Sequence, residues 1–442
     1  MLRGFPGLGL LHGQSGLAAV VQTGVATVLV LAVNVVTGIV SARVLGAPGR
    51  GELSALLLCP QFLSFLFTLG LPSSTIVTMK GSRASASGLM GAALLLSCVM
   101  GLLAAATGVL IMPYLLKQYD ARVISFAREL LAFVMLGVTS TVLVAALQVS
   151  DRFVAYNRLR FWQSALTLLG LVALAALRRF TPEAGALAYV FPTLPFFGWN
   201  LWWVLREFKP RLSDWRANSR ELLSYGWRVH VMDTGNTLFG QLDKLILVAV
   251  LAPSVFGLYV VVYNVSRLVT TFANSATPVL LPRSAGRPAN EVLSITSRAL
   301  IATTVLSSAA VLGFVLFGHI GLRWLYGEQF AAGYATLVIL AIEGALCSTA
   351  AVLQQPYVAL RRPGTVALFQ TFSLAIGACL IYLLARRFGA AGAACGLLLA
   401  TSVRFALTYF GFAWPLRLRA PRLFPNRTEL LALLGRPRVR VA

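Results

Sequence analysis

The stretch GNTLFGQLDKLILVAVLAPSVFGLYVVVYN, residues 235–264, is almost wholly apolar and contains a short Ala-Pro-Ser break. It joins two longer apolar segments, residues 222–251 and 256–280. Each segment is long enough to cross the hydrocarbon layer of a membrane, for which an α-helix needs about 20 residues. The first segment contains two adjacent opposite charges, Asp243 and Lys244. Charged side chains are costly inside a membrane, so this pair requires a structural or functional explanation.

The same apolar pattern extends along the whole chain. Of its 442 residues, 58% are hydrophobic and only 12% are charged, and the mean hydropathy of +0.80 lies outside the range of soluble domains. The segments lack period-two alternation, which favours helices over a β-barrel. We predict an all-α polytopic membrane protein with about 12 transmembrane helices. The predicted spans are 17–43, 52–78, 87–111, 125–149, 159–177, 184–205, 222–251, 256–280, 296–319, 332–358, 364–385 and 391–414.

The distribution of basic residues predicts the orientation. If the N-terminus is cytoplasmic, 24 of the 37 Lys and Arg residues lie on the cytoplasmic side, 10 lie on the opposite side and 3 lie within spans. The positive-inside rule therefore places both termini in the cytoplasm. The positions of the basic residues that give the net charge of +23 are thus explained by membrane orientation. We therefore expect no nucleic acid partner. The Arg-rich tail is expected to lie near anionic lipid headgroups.

The two halves of the chain resemble each other when one is shifted by 206 residues. The matching pairs are Leu45 and Leu251, Gly51 and Gly257, Pro72 and Pro278, Gln148 and Gln354 and, after one residue of slippage, Gln163 and Gln370. An even number of helices in each half means that both copies run in the same direction. We therefore predict two six-helix lobes related by a pseudo-two-fold axis along the membrane normal.

The duplication divides the chain into five regions. They are a cytoplasmic N-terminal segment without a cleaved signal peptide (1–16), an N-terminal six-helix lobe (17–205), a cytoplasmic inter-lobe loop (206–221), a C-terminal six-helix lobe (222–414) and a basic cytoplasmic tail (415–442). The five cysteines all lie within predicted spans, so neither a disulfide framework nor a metal site is predicted.

Polar residues recur at helical spacing on four of the predicted spans. On the seventh and eighth spans they are Asp233, Asn236, Gly240 and Asp243, with Lys244 at the edge, and Asn264, Arg267, Thr271, Asn274 and Pro278. The corresponding stripes of the first and second spans hold Thr27, Val30, Asn34 and Thr37, and Gln61, Thr68 and Pro72. Both lobes therefore present polar faces, but only the second lobe carries charge there.

Six charged residues lie deep within the predicted spans, away from the span ends: Asp233, Asp243, Lys244, Arg267, Glu343 and Arg404. Each costs about 2.5–3.5 kcal/mol on insertion scales, so such groups usually face a cavity or one another. In one interpretation, Asp243 pairs with Arg267 or Arg404 and holds neighbouring helices together. Glu343 is isolated in the sequence, and both cavity lining and helix pairing are open for it.

In the alternative interpretation the same residues act in transport. Lys244, Arg267 and Arg404 neutralise an anionic headgroup, because guanidinium groups bind phosphate oxygens in a bidentate manner. The carboxylates Asp243, Asp233 and Glu343 are then candidates for coupling to a proton or another ion. His230, one turn before Asp233, is either an interfacial polar residue or part of a proton path.

Three stretches resemble a known family. Residues 34–74 contain an Arg-x-Leu-Gly, a Gly-x-Gly turn and a Gly-Leu-Pro, residues 224–268 contain a Leu-Asp and a Gly-x-Tyr on either side of a short loop, and residues 147–160 follow the fourth span. They are similar to the polysaccharide and O-antigen flippases of the multidrug/oligosaccharidyl-lipid/polysaccharide exporter superfamily. The resemblance implies a V-shaped two-lobe bundle, like that of the multidrug exporters in this superfamily, with a cation-lined central cavity.

The resemblance also implies a function. Such proteins move an undecaprenyl-pyrophosphate-linked oligosaccharide across the bacterial inner membrane by alternating access, so we expect a transporter rather than an enzyme. The implied partners are this lipid-linked substrate, membrane lipids, a polysaccharide polymerase and glycosyltransferases. We expect no cofactor, and coupling to protons or to sodium is open.

Two other functions are retained as alternatives. A multidrug/cation antiporter of the same fold would favour acidic groups in the first lobe, whose predicted membrane interior has none. A membrane glycan polymerase or ligase would need a large outward loop, and the longest predicted outward loop spans only about 111–125.

Overall fold

The computed structural model describes residues 16–81, 85–270, 280, 287–360, 362–414, 418 and 421. Within these ranges only the backbone is described for residues 16–26, 231–237, 239 and 363. The described part contains helices, turns and bends and no strand, so the all-α prediction is confirmed. Several predicted features lie outside it, namely most of the N-terminal segment and of the basic tail, and the stripe residues Thr271, Asn274 and Pro278.

Eight α-helices precede the middle of the chain. They are α1 (Gly16–Leu66), α2 (Leu71–Gly81), α3 (Ala86–Leu115), α4 (Ala121–Leu130), α5 (Val134–Val149), α6 (Phe153–Ala176), α7 (Pro182–Val190) and α8 (Thr193–Phe208). A short 3₁₀ helix, Leu131–Phe133, joins α4 to α5. The predicted inter-lobe loop is shorter than expected, because α8 continues to Phe208 and the next helix begins at Trp215.

The remaining helices follow this connection. They are α9 (Trp215–Val250), α10 (Pro253–Ser266), α11 (Ala289–Tyr326), α12 (Glu328–Ala331), α13 (Tyr334–Ala359) and α14 (Pro363–Phe410). A 3₁₀ turn, Arg267–Thr270, continues directly from α10.

The described part contains seven helical stretches, counted across short turns such as the one at 67–70, that are long and apolar enough to cross a membrane. Two of them, Thr27–Gly81 and Gly364–Phe410, have 55 and 47 residues, more than twice the roughly 20 residues of one crossing. Large apolar side chains such as Leu110 and Phe317 are 72% and 65% exposed, as expected for a lipid-facing surface. The chain is thus a membrane protein, and the lengths of its helices agree with the predicted 12 crossings.

Single glycines interrupt the two longest helices. Gly46 in α1 has φ 69° and ψ −176°, and Gly389 in α14 has φ 59° and ψ −136°. Residues with side chains rarely adopt such positive φ values, whereas glycine does so without steric cost. We expected loops between the spans at these positions, but helical structure resumes immediately after one non-helical residue.

The chain forms two compact units, each with a core of its own. The first unit comprises Met1–Thr234 with Ala252–Gly257, and the second comprises Gly235–Leu251 with Leu258–Ala442. In the first unit, apolar residues of α2, α3, α5 and α8 form a buried cluster that includes Leu71, Leu89 and Val142. In the second unit, Tyr357 of α13 packs against Phe412, with their ring centres 5.0 Å apart.

Candidate functional site

Five ionisable residues of the predicted spans lie in the second unit and form what we call the charged cluster: Asp243, Lys244, Arg267, Glu343 and Arg404. They come from α9, from the 3₁₀ turn after α10, and from α13 and α14. Two tyrosines of α10, Tyr259 and Tyr263, lie among them.

Asp243 is fully buried and is held by a tyrosine. The hydroxyl of Tyr259 donates a hydrogen bond to Asp243 Oδ2 at 2.7 Å, because the α9–α10 hairpin brings these residues together. Asp243 Oδ1 has no partner among the described residues. Arg267 and Arg404 bind other groups, so the prediction that either of them pairs with Asp243 is wrong.

Lys244 and Arg267 share one aromatic ring. Lys244 Nζ lies 3.7 Å from the centre of the Tyr263 ring, and the Arg267 guanidinium carbon lies 4.3 Å from the same centre. Lys244 also donates to the Gly240 carbonyl oxygen at 3.2 Å and to Gln241 Oε1 at 2.9 Å. The negative face of an aromatic ring attracts cations, and Tyr263 therefore brings two positive charges close together.

Arg267 forms an ion pair with Glu343, with 2.5 Å between the guanidinium nitrogen Nη2 and Glu343 Oε2. The hydroxyl of Thr401 donates to the second oxygen, Oε1, at 2.7 Å. The Glu343 side chain is 1% exposed and that of Arg267 is 24% exposed. Of the two interpretations of Glu343, the structure shows helix pairing.

Arg404 lies one turn of α14 beyond Thr401. Its Nη2 atom is 3.1 Å from Cys347 Sγ, and Cys347 is one turn of α13 beyond Glu343. The charged cluster therefore contains three cations and two carboxylates. Within the membrane such groups are stable when paired and hydrogen-bonded. The five residues together carry a formal charge of +1.

Of the other predicted residues, Asp233 and Asn236 are in α9, and only their backbone is described. His230 is buried in the first unit, where its ring centre lies 5.9 Å from that of Phe65. No role in the site was predicted from the sequence for Tyr259, Tyr263 or Thr401. The spacing of the two tyrosines from Arg267, 8 and 4 residues, is the signal that would have placed them on one helical face.

The first unit contains a cavity of about 700 Å³, which we call the amide cavity. Its polar lining residues are Asn34, Gln61, Ser64, Thr68, Ser140, Thr141, Gln148, Gln163, Ser164, Thr167, Tyr189 and Thr193. Three members of the uncharged stripes predicted on the first two spans, Asn34, Gln61 and Thr68, are thus brought to one place. Among the residues that the structure describes, no acidic or basic side chain lines it.

Comparison with solved structures shows the fold. The lipid II flippase MurJ, in an inward closed conformation, matches with a TM-score of 0.74 at 13% identity, over 94% of this chain and 90% of that chain. A MATE family multidrug resistance transporter of the MOP superfamily, in an inward-facing conformation, matches with a TM-score of 0.71 at 15% identity, over 89% and 98%. A MOP superfamily transporter from Pyrococcus furiosus matches with a TM-score of 0.57 at 15% identity, over 93% and 97%.

Sequence comparison identifies the family. A curated relative, the probable low-salt glycan biosynthesis flippase Agl15 of Haloferax volcanii, is 25% identical over 194 residues. The match covers 43% of this chain, and the chain spans only 40% of that relative. The family model described as polysaccharide biosynthesis protein matches residues 40–335, well over half of the chain. The predicted resemblance is therefore confirmed, and the chain belongs to the polysaccharide biosynthesis protein family.

Proposed function

We propose that this protein is a flippase that translocates a polyprenyl-pyrophosphate-linked oligosaccharide across the bacterial inner membrane by alternating access. The product would serve the synthesis of O-antigen, capsule or exopolysaccharide, together with glycosyltransferases and a polymerase. Family membership and the transporter fold support this proposal. The observation that carries it is the net positive charge of a buried cluster in membrane helices, centred on Arg267.

The charged cluster suits an anionic headgroup. A pyrophosphate presents several oxygens to which guanidinium groups bind strongly. Arg267 is the more exposed member of its ion pair, and its Nε atom has no partner in the described part of the chain. An incoming pyrophosphate would compete with Glu343 for Arg267, so substrate binding would open the link that Arg267 makes between the end of α10 and α13.

Asp243 is the group to which we assign ion coupling. It has one hydrogen bond, from Tyr259, and no ion pair with any described residue. A buried carboxylate without a counter-ion is costly, and binding a proton would remove its charge. Glu343 is already neutralised by Arg267, and this makes it the weaker candidate.

The alternatives have less support. An antiporter for cationic drugs would need an acidic group in its binding cavity, and the described residues that line the amide cavity include none. A polymerase or ligase would need an extended catalytic loop, but α3 ends at Leu115 and α4 begins at Ala121. The relatives are transporters rather than enzymes, and we assign no enzymatic activity to this chain.

The test is transport of a fluorescent polyprenyl-pyrophosphate glycan in proteoliposomes. We expect Arg267→Ala to slow translocation at least about tenfold, with smaller losses for Lys244→Ala and Arg404→Ala. Removing one partner of a buried pair costs about 3–5 kcal/mol, so Arg267→Ala also carries a risk of misfolding. The double variant Arg267→Gln/Glu343→Gln removes both charges and leaves no unpaired ion.

The matched control is Arg287→Gln/Glu291→Gln, which removes an exposed pair whose side chains are 53% and 54% accessible. We expect wild-type transport from this control. Normal rates in all three single variants and in the neutral Arg267/Glu343 double variant would contradict a role for the charged cluster in binding substrate.

A further inference from the structure

The amide cavity has hydrogen-bonding groups that nothing in the described part of the chain uses. The carboxamides of Asn34, Gln61, Gln148 and Gln163 line it, and all four side chains are partly or largely accessible rather than buried. None of these carboxamides has a hydrogen-bond partner among the described residues. Four such groups around one space present donors and acceptors together, because each carboxamide carries both.

Three threonine hydroxyl groups of the cavity differ from these amides. Thr68, Thr141 and Thr167 each donate to a backbone carbonyl oxygen three or four residues earlier, at 2.8, 2.7 and 3.0 Å. A threonine that donates in this way keeps acceptor capacity on its oxygen. These three hydroxyl groups therefore add acceptors to the cavity, beside the donors and acceptors of the carboxamides.

The second half of the chain provides an internal comparison. Gln354 and Gln370 are the repeat counterparts of Gln148 and Gln163, and there Gln370 Nε2 donates to Gln354 Oε1 at 3.5 Å. The two glutamines are thus bonded to each other in the second unit, where Gln354 Nε2 has no partner in the described part of the chain, whereas their counterparts in the first unit line a cavity without such a bond. Membrane helices normally satisfy such polar groups internally, so two cavity-lining glutamines without a bond to each other favour a ligand.

We propose that the amide cavity binds the uncharged, hydroxyl-rich saccharide part of the transported lipid. This inference rests on the proposed flippase function, in which the pyrophosphate is assigned to the charged cluster. Each sugar hydroxyl both donates and accepts, and carboxamides match this requirement. Phe65, Phe133 and Phe197 also line the cavity and offer apolar surface to the C–H face of a sugar ring.

The size and charge of the cavity agree with this ligand class. A volume of about 700 Å³ falls within the roughly 300–1,000 Å³ of sites for ligands as large as a small oligosaccharide. Because the described lining residues include no acidic or basic side chain, an isolated ion would lose its hydration there without gaining a counter-charge from them. A neutral glycan incurs no such penalty.

The experiment measures binding to the full-length protein in lipid nanodiscs. The probes are farnesyl pyrophosphate and the same lipid carrying, in turn, one of three neutral disaccharides of different stereochemistry. The affinity ratio between the tightest glycosylated probe and the sugar-free probe reports on the amide cavity. The affinity for the sugar-free probe reports on the charged cluster.

We expect wild type to bind its preferred glycosylated probe about tenfold more tightly than the sugar-free probe. Gln148→Leu/Gln163→Leu, which keeps side-chain size but removes the amides, should reduce this ratio to near one and leave sugar-free binding unchanged. The counterpart variant Gln354→Leu/Gln370→Leu should retain the wild-type ratio. Unchanged binding of the sugar-free probe also shows that the cavity variant is folded.

Two results would overturn the inference: a wild-type ratio near one for all three disaccharides, or a ratio that Gln148→Leu/Gln163→Leu leaves intact. Failure of the proposed function would look different. In that case wild type would bind farnesyl pyrophosphate no better than Arg267→Gln/Glu343→Gln does, and it would not move the glycosylated lipid across proteoliposomes.

Discussion

Tyr263 and Glu343 together determine the environment of Arg267. The guanidinium lies over the Tyr263 ring and bonds to Glu343, whose other oxygen accepts from Thr401. Of the three cations in the charged cluster, Arg267 is thus bound by an exchangeable carboxylate, while Lys244 is held by neutral oxygens. A competing anion can replace a carboxylate more directly than it can replace a backbone carbonyl, because the carboxylate and the anion accept the same donors.

Asp243→Asn tests ion coupling at this scale. The asparagine resembles the protonated acid, and so we expect the variant to transport at every pH as wild type does at low pH. The groups around Asp243 are Tyr259, the adjacent Lys244 and, through Tyr263, Arg267. The measurement is the transport rate from pH 5 to pH 8, with sodium present or replaced by choline.

The control for this prediction is Asp151→Asn, which removes an exposed carboxylate that pairs with Lys80 at 2.8 Å. Its pH profile should match that of wild type. If Asp243→Asn also retains the wild-type pH profile, Asp243 does not carry the coupling ion. A wild-type transport rate that changes when choline replaces sodium, but not with pH, would indicate coupling to sodium.

At the scale of the elements, α1 and the start of α10 make a close contact within the first unit. A Cβ atom on Gly51 would lie 1.8 Å from the Pro253 carbonyl oxygen, and one on Gly257 would lie 2.0 Å from the Ala47 carbonyl oxygen. Gly51 and Gly257 are 206 residues apart, and so are Ala47 and Pro253. Each copy of the repeat therefore places its glycine against the backbone of the other.

Gly51→Ala should separate these helices and destabilise the protein. Neither backbone can move away unless its helix moves. We therefore expect the free energy of unfolding to fall by about 1–3 kcal/mol. The measurement is the midpoint of thermal unfolding in detergent. Gly38→Ala is the matched control in the same helix, since a Cβ there meets no atom within 4 Å. Alanine favours helices more than glycine does, so the unfolding midpoint of Gly38→Ala should equal or exceed that of wild type. Equal midpoints for the two variants would contradict this account of the contact.

At the scale of the whole molecule, both termini and the connection between α8 and α9 are predicted to be cytoplasmic, and the connection between α3 and α4 is predicted to face outward. The structure provides exposed positions in both connections, Leu212 and Lys117. We expect a membrane-impermeant maleimide to label Lys117→Cys in intact spheroplasts and to label Leu212→Cys only after permeabilisation. The unmodified chain gives the background of its five cysteines, and the opposite labelling pattern would invert the topology.

Much of the fold could be predicted from the sequence, since hydropathy is a local property that adds up along a segment. The helical class, the membrane location and the family followed from apolar lengths and short motifs. The boundaries were less accurate. The predicted second span is divided by a turn at residues 67–70, where Gly70 has φ 69° and lies against the Gly226 carbonyl oxygen. Such a break depends on a contact 156 residues away.

The residues with unusual chemistry could be identified before the structure was known. Charges and amides are rare in membrane helices because each is costly there, so Arg267, Glu343 and the paired glutamines were visible without a structure. Their hydrogen-bond partners became known only from the folded structure. Asp243 bonds to Tyr259 rather than to an arginine, and Gln148 lines a cavity while its counterpart Gln354 binds another glutamine. The free-energy cost of placing a side chain in the membrane depends on that residue alone. A hydrogen bond, in contrast, requires two groups that are far apart in the sequence to meet within about 3 Å.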